Sequence, residues 1–265
     1  MKLNQLLVRT AIATGLAFAT LVAQASTLDD IRAAKKVRIS VDLANPPSGM
    51  TDAKMNPVGS DVEVAALLAK DLGAELEIVA TTGPTRIPNV QARKADLIIS
   101  TLAFTPERAK VVDYSLPYAG QISLVGGLKS LNIKTLDDLD GKTVAVTRGT
   151  TQDVDLTKKA KGARLVRYED DSTLITSIVT GQNDLAATSG ALFQTMVDKA
   201  PNRELEPKVV LQTFDLGIGM RKNEPELKEW VNNWVRTNMK NGKLNAIFKK
   251  YHNADIPESV VKQSD

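Results

Sequence analysis

From residue 37 onward the chain sets short apolar runs against amphipathic stretches in steady alternation. VRISVD at 37–42 reads as a strand. DVEVAALLAKDLG at 61–73 reads as a helix with Asp61 as its cap and Gly73 as its stop, and ELEIVA as the next strand. IPNVQARKADLIIS then predicts a helix running into a third strand. The same order returns from residue 142: KTVAVT is a strand, TQDVDLTKKAKG a helix ending at Gly162, ARLVRYE a strand, and STLITSIVTGQNDLAAT a helix leading into a strand. The closing phrases ARKADLIIST and TGQNDLAATS can be laid over one another. Strands joined by helices predict parallel sheets covered by helices, and the repetition predicts two α/β lobes of similar plan.

Two further runs are strand-like and punctuated by glycine: LPYAGQISLVGGLKS between the halves and VVLQTFDLGIGMRK after the second. A chain that crosses to a second lobe and returns needs two linking strands, which is a hinge architecture. The expected division is 26–120 with 217–265 in the first lobe and 121–216 in the second. A helical tail follows, EPELKEWVNNWVRTNMKNGKLNAIFKKYH, in which Trp230, Trp234, Leu244, Ile247 and Phe248 supply an apolar face for packing. Only the last stretch, ESVVKQSD, has the composition of a disordered tail.

The first 25 residues fall outside this pattern. Lys2 and Arg9 precede an apolar run from Ala11 to Ala23, and Ala23, Gln24 and Ala25 form a small-x-small cleavage site. The run is well short of the roughly 20 residues that span a bilayer, so the expectation is a signal peptide cut after Ala25 and an exported, periplasmic protein. Taking Lys2 and Arg9 away lowers the formal net charge from +3 to +1. A nearly neutral chain is a poor nucleic-acid binder. The absence of cysteine excludes a disulfide framework, a lipid-bearing N-terminal Cys and a thiolate metal site together. No metal or cofactor motif is found, and neither is a GxSxG, HExxH or phosphate-loop pattern.

The chemistry gathers at the carboxyl ends of the strands, where open α/β sheets bind their ligands. STLAFTPER at 100–108 starts a helix by ordinary rules, with Thr105 as cap, Pro106 at the first helical position and Glu107 at the positive dipole end. Arg108 is the odd residue, a cation where positive charge is least welcome. VTRGTTQD and ATSG hold the equivalent positions of the second half, and all three segments would face a cleft between the lobes.

The ordered set GSDVEVAALLAKDLG, RIPNVQARKADLIISTLAFTPERAKVVDYSLPY, IKTLDDLDGKTVAVTRGTTQD, GIGMRKNEPELKEWVNNW and NGKLNAIFKKYH resembles the family 3 solute-binding proteins of amino-acid ABC transporters. The resemblance covers nearly all of the chain after residue 25. It implies the type II periplasmic binding protein fold, two lobes joined by two hinge strands that close over a small ligand. It also implies an inner-membrane ABC permease as partner and a monomeric protein. Within it, Arg108 binds the ligand's α-carboxylate, a role that competes with an ion pair to Asp113 or Glu107. Arg86 either faces a second carboxylate or makes a salt bridge. Thr101 matches a carboxylate-binding position. Thr150 and Thr151 resemble the second-lobe loop that closes on the ligand, although their hydroxyls could equally cap a helix.

Three departures from the family pattern bear on the ligand. Asn45, Ser48 and Ser60 stand where many members carry aromatic clamps, and Ala103 stands where a carboxylate-binding Thr is usual. Ser189 occupies the place of the Asp that pairs with the α-ammonium. Either another acid takes over, with Asp171 as the candidate and a helix cap as its competing role, or the ligand lacks the amine. Arg86, Arg108 and Arg148 together suit an anionic ligand, a polar or acidic amino acid or a related carboxylate. The alternative is a periplasmic enzyme of the same fold, similar to cyclohexadienyl dehydratases. The sequence offers that reading no general acid–base set, since its one histidine, His252, lies in the tail, and Glu63, Glu107 and Glu169 have surface or capping roles.

Overall fold

The structure is a computed structural model that describes residues 26–263, so the expected signal peptide and the last two residues lie outside the described residues. In the first half, helix α1 (Thr27–Ala34) leads into β1 (Lys36–Asp42). A small hairpin of β2 (Met50–Thr51) and β3 (Pro57–Val58) follows, then α2 (Ser60–Leu72), β4 (Glu75–Thr81), α3 (Arg86–Gln91), β5 (Leu97–Ile98) and the one-turn α4 (Pro106–Ala109). The long strand β6 (Asp113–Leu128) carries the chain across. There β7 (Thr143–Thr147), α5 (Thr151–Lys159), β8 (Arg164–Tyr168), α6 (Asp171–Val179), β9 (Leu185–Ser189) and α7 (Gly190–Lys199) repeat the plan. A second long strand, β10 (Leu205–Met220), returns it, and α8 (Pro225–Lys240), α9 (Lys243–His252) and α10 (Glu258–Val261) close the chain.

The strand order is β4-β1-β5-β10-β6-β9-β7-β8. It contains the expected echo: β1 lies parallel between β4 and β5, and β7 lies parallel between β8 and β9. Each trio is finished by one of the long strands, antiparallel to it, and the two long strands pair with each other along most of their length. Their ladder shifts register four times, twice between Leu216 and Gly219. Such irregularities bend and twist a ribbon locally.

Because the strands are covered on both faces, successive residues enter different cores. In the first lobe Leu97 and Ile99 join one cluster and Ile98 the other; in the second, Val144 and Val146 join one and Ala145 the other. The tail packs on the first lobe as its apolar face predicts, with Trp234 and Leu244 buried and Trp230, Ile247 and Phe248 against the same core.

Several element ends differ from expectation. Gly59, not Asp61, caps α2, because the Asp61 carboxylate is drawn inward to other partners, while Gly73 does end the helix in a left-handed conformation. Helix α5 stops at Lys159 rather than at Gly162, which instead lies against the Asp140 side chain. The tail is two helices broken at Gly242, whose φ is +76°. The described part of ESVVKQSD is not the disordered tail expected: Glu258–Val261 form a helical turn whose Val260 is buried.

Candidate functional site

The carboxyl ends of β1 and β5 in one lobe and of β7 and β9 in the other converge on a cavity of about 30 Å³ between the lobes. This is room for a water molecule or two, so the lobes stand nearly closed. Of the residues singled out by sequence, Asn45, Arg86, Thr101 and Arg108 from the first lobe and Thr150, Thr151, Asp171 and Ser189 from the second line it, while Ser48 and Ser60 line a neighbouring cavity. Sequence reasoning missed Asp42, Gly83, Gln121, Gln152 and Thr188 in the same wall. Asp42 could have been found as the last residue of the first strand, and Gln152 as the neighbour of the Thr pair.

Arg108 rises from α4, whose start is built as predicted: the Thr105 hydroxyl accepts the Arg108 N–H and Pro106 opens the helix. Its guanidinium donates to two carbonyls, Ala103 at 3.0 Å and Gly149 of the other lobe at 3.1 Å. The ion pairs weighed for it are taken elsewhere, Asp113 by Lys222 and Glu107 by Lys158. Burial first, and the like charge of Arg86 next, lower the Arg108 guanidinium to about 9, which leaves it charged at neutral pH.

Arg86 is 5% exposed. It donates to the Ser100 carbonyl at 2.7 Å, its Nε has no partner, and it forms no salt bridge within 4.0 Å among the described residues. Among the described residues neither guanidinium has a carboxylate within 4.0 Å, although Arg86 acts at longer range on Asp42, Asp61 and Asp171, and the two share one wall. Arg148 does not join them: its side chain, half exposed, pairs with Glu169 at 2.7 Å, because the strand end that carries it turns it outward.

Thr101 is held in a left-handed backbone conformation, φ +41°, that a β-branched residue seldom adopts. What holds it is buried Asp61, which accepts the Thr101 N–H at 2.8 Å and the Tyr118 hydroxyl at 2.8 Å. Burial is the first cause that raises the Asp61 carboxyl to about 6. Asn45 completes this corner by donating to the Thr101 hydroxyl at 3.3 Å.

On the facing lobe, Thr150 caps α5, accepting from the Asp153 N–H and donating to the Thr147 carbonyl at 2.7 Å. The capping role and a place in the cavity wall thus coexist. Ser189 caps α7 by accepting the Leu192 N–H, so it offers the cavity no charge. Asp171 is not a cap; that duty falls to Asp170, which accepts from Thr173. Asp171 is buried one residue on and receives a hydrogen bond from the Thr147 hydroxyl. Burial, and then the field of Asp42 across the cleft, push its carboxyl up to about 7. Asp42 is raised as well, by burial first.

The family model for bacterial extracellular solute-binding proteins, family 3, matches residues 37–254, and the chain belongs to that family. Among its relatives is the ABC transporter glutamine-binding protein GlnH of Bacillus subtilis, 32% identical over 82% of this chain and 78% of the relative. The L-cystine-binding protein TcyJ of Escherichia coli is 26% identical over 86% of this chain and 87% of its own. Among solved structures, a mutant of ArgBP from T. maritima superposes with a TM-score of 0.80 at 33% identity, covering 86% of this chain and 99% of that one. An ancestral amino acid-binding protein, described as a precursor of cyclohexadienyl dehydratase, superposes at 0.79 with 30% identity, covering 85% and 99%. The two-lobed fold and the solute-binding class follow. No helix among the described residues is long and apolar enough to cross a membrane.

Proposed function

We propose that this chain captures a polar or acidic amino acid, or a related carboxylate, between its lobes in the periplasm and delivers it as a monomer to an inner-membrane ABC permease. The observation that carries this reading is the pair of guanidiniums, Arg86 and Arg108, that line one inter-lobe cavity with no carboxylate within 4.0 Å among the described residues. A buried unpaired charge is costly, and a ligand carboxylate relieves it through charge-assisted hydrogen bonds. Arg108 already bridges the lobes through Gly149, so a ligand bound there ties closure to its own affinity. For an ammonium group, Asp171 and Asp42 take the place that neutral Ser189 leaves vacant. We divide the lobes at 120/121 and 216/217, within the long paired strands, so that hinge bending falls near the register shifts of β10.

Thermal-shift screening with amino acids and dicarboxylates, followed by titration of the best hit against Arg108→Ala, tests the reading. The substitution should weaken binding more than about tenfold, since a hydrogen bond to a charged group contributes ~1.5–3 kcal/mol. A change within twofold rejects it. The enzyme reading draws on Asp171, a buried carboxyl in the cavity wall that burial and then Asp42 push up to about 7. Turnover of a prephenate- or arogenate-like acid, abolished by Asp171→Asn, would install it in place of the binder.

A further inference from the structure

The 30 Å³ cavity adjoins a larger one on its hinge side. Thr101, Gln121 and Ser189 also line a second cavity of about 510 Å³, within the size range of small-molecule sites. The long strands, α7 and α9 enclose it. Its wall is mostly apolar: Leu216, Leu244, Ile247 and Phe248 contribute, and Ile122 lies 48% exposed there, unusual for a large aliphatic side chain on a central strand. Gln194, Thr195 and Thr213 beside them are uncharged, and His252 of the same wall pairs with the Ser60 hydroxyl and is held below the usual imidazole value by burial. The aspartates at its edge are engaged, Asp61 by Thr101 and Tyr118, Asp255 by Asn245 and Lys249, and Asp198 by Gln194.

The three residues that line both cavities are themselves uncharged. Ser189 spends its oxygen on the Leu192 N–H, and neither Thr101 nor Gln121 carries charge. The carboxylate beside this boundary, Asp61, already accepts from the Thr101 N–H and the Tyr118 hydroxyl, whereas an amide would find hydroxyl and amide partners. Beyond it, an aliphatic chain would find the apolar wall.

We propose that the ligand is a carboxylic acid with an uncharged, largely apolar arm, of the N-acyl amino acid kind. Its carboxylate rests on Arg108 and its acyl arm passes between Thr101, Gln121 and Ser189 into the larger cavity. This rests on the carboxylate role given to Arg108 above.

The test is calorimetric titration of the protein with glutamate and with N-acetyl-, N-butanoyl- and N-hexanoyl-glutamate, repeated on Ala191→Trp, which fills the larger cavity, and on Ser189→Asp, which charges the boundary. The expected result is a gain of at least tenfold in affinity from the acetyl to the hexanoyl compound, and a ratio that falls towards one in Ala191→Trp. In Ser189→Asp, preference should move to free glutamate. Melting curves of each variant check that it folds, and Ser189→Asp decides the matter if Ala191→Trp does not fold. Affinity that is flat or falls along the acyl series overturns the proposal. If glutamate still binds in an Arg108-dependent way, the carboxylate site stands without the arm. If no member of the series binds at all, the proposal fails, and the screen with Arg108→Ala decides the carboxylate site separately.

Discussion

Arg108 combines two functions in one side chain, since it carries the charge that a carboxylate would neutralise and also reaches Gly149 on the other lobe. Asp171, facing it from that lobe, is the residue whose proton matters most. It titrates at about 7 in the folded protein against an ordinary 3.8. Between those values the folded state holds more protons than the unfolded one, so its contribution to stability falls as pH rises from about 4 to about 7 and then levels. Asp171→Asn should remove that slope, so urea melts at about pH 4.5 and about pH 7.5 should show the variant gaining on the parent at the higher value. An identical difference at both pH values contradicts this. Asp61, near 6, adds a slope of the same sign in parent and variant alike. The sequence made Asp171 the candidate but left a helix cap as its competing role. Two adjacent acids at a helix start look alike until the helix is packed and one of them is turned inward.

At the level of elements, the site depends on contacts between segments distant in sequence. Asp61 at the start of α2 fixes Thr101 at the end of β5, 40 residues away. Asp61→Ala leaves the buried Thr101 N–H and the Tyr118 hydroxyl unpaired, and chemical denaturation should show a loss of about 2–5 kcal/mol. A loss below about 0.5 kcal/mol means that water or another group has taken over, because unsatisfied buried donors cost more than that. The loop before α3 approaches the one before α5 very closely: a Cβ at Gly83 would stand 3.0 Å from the Arg148 carbonyl oxygen. Gly83→Val should therefore oppose closure, weakening ligand affinity severalfold while leaving the melting temperature of the ligand-free protein nearly unchanged. Small-angle scattering with saturating ligand would read the same defect as incomplete compaction. The strands, the helices and the capping of α4 were legible because local period and propensity decide them. The Asp61 role was not, because the same residue reads as a good N-cap in isolation.

At the scale of the whole molecule, two small α/β lobes share one ribbon of paired long strands, so ligand binding can be paid back as closure of the cleft rather than as refolding. A ligand at 100 times its dissociation constant should stabilise the protein by about 2.7 kcal/mol, and scattering should show the radius of gyration falling on binding. Unchanged dimensions together with full stabilisation would place the ligand within lobes that are already closed.

The sequence by itself determined the alternation of elements, the two-lobe echo, the hinge crossing and the candidacy of Arg108. These follow from periodicity and from the chemistry of short contiguous motifs. Tertiary structure alone decided that Arg86 is buried without an ion pair while Arg148 is not, that Asp171 rather than Asp170 faces the cleft, and that a larger apolar cavity lies behind Ser189. Burial, electrostatic field and cavity shape are sums over residues far apart in the chain, and they exist only once the two lobes have met.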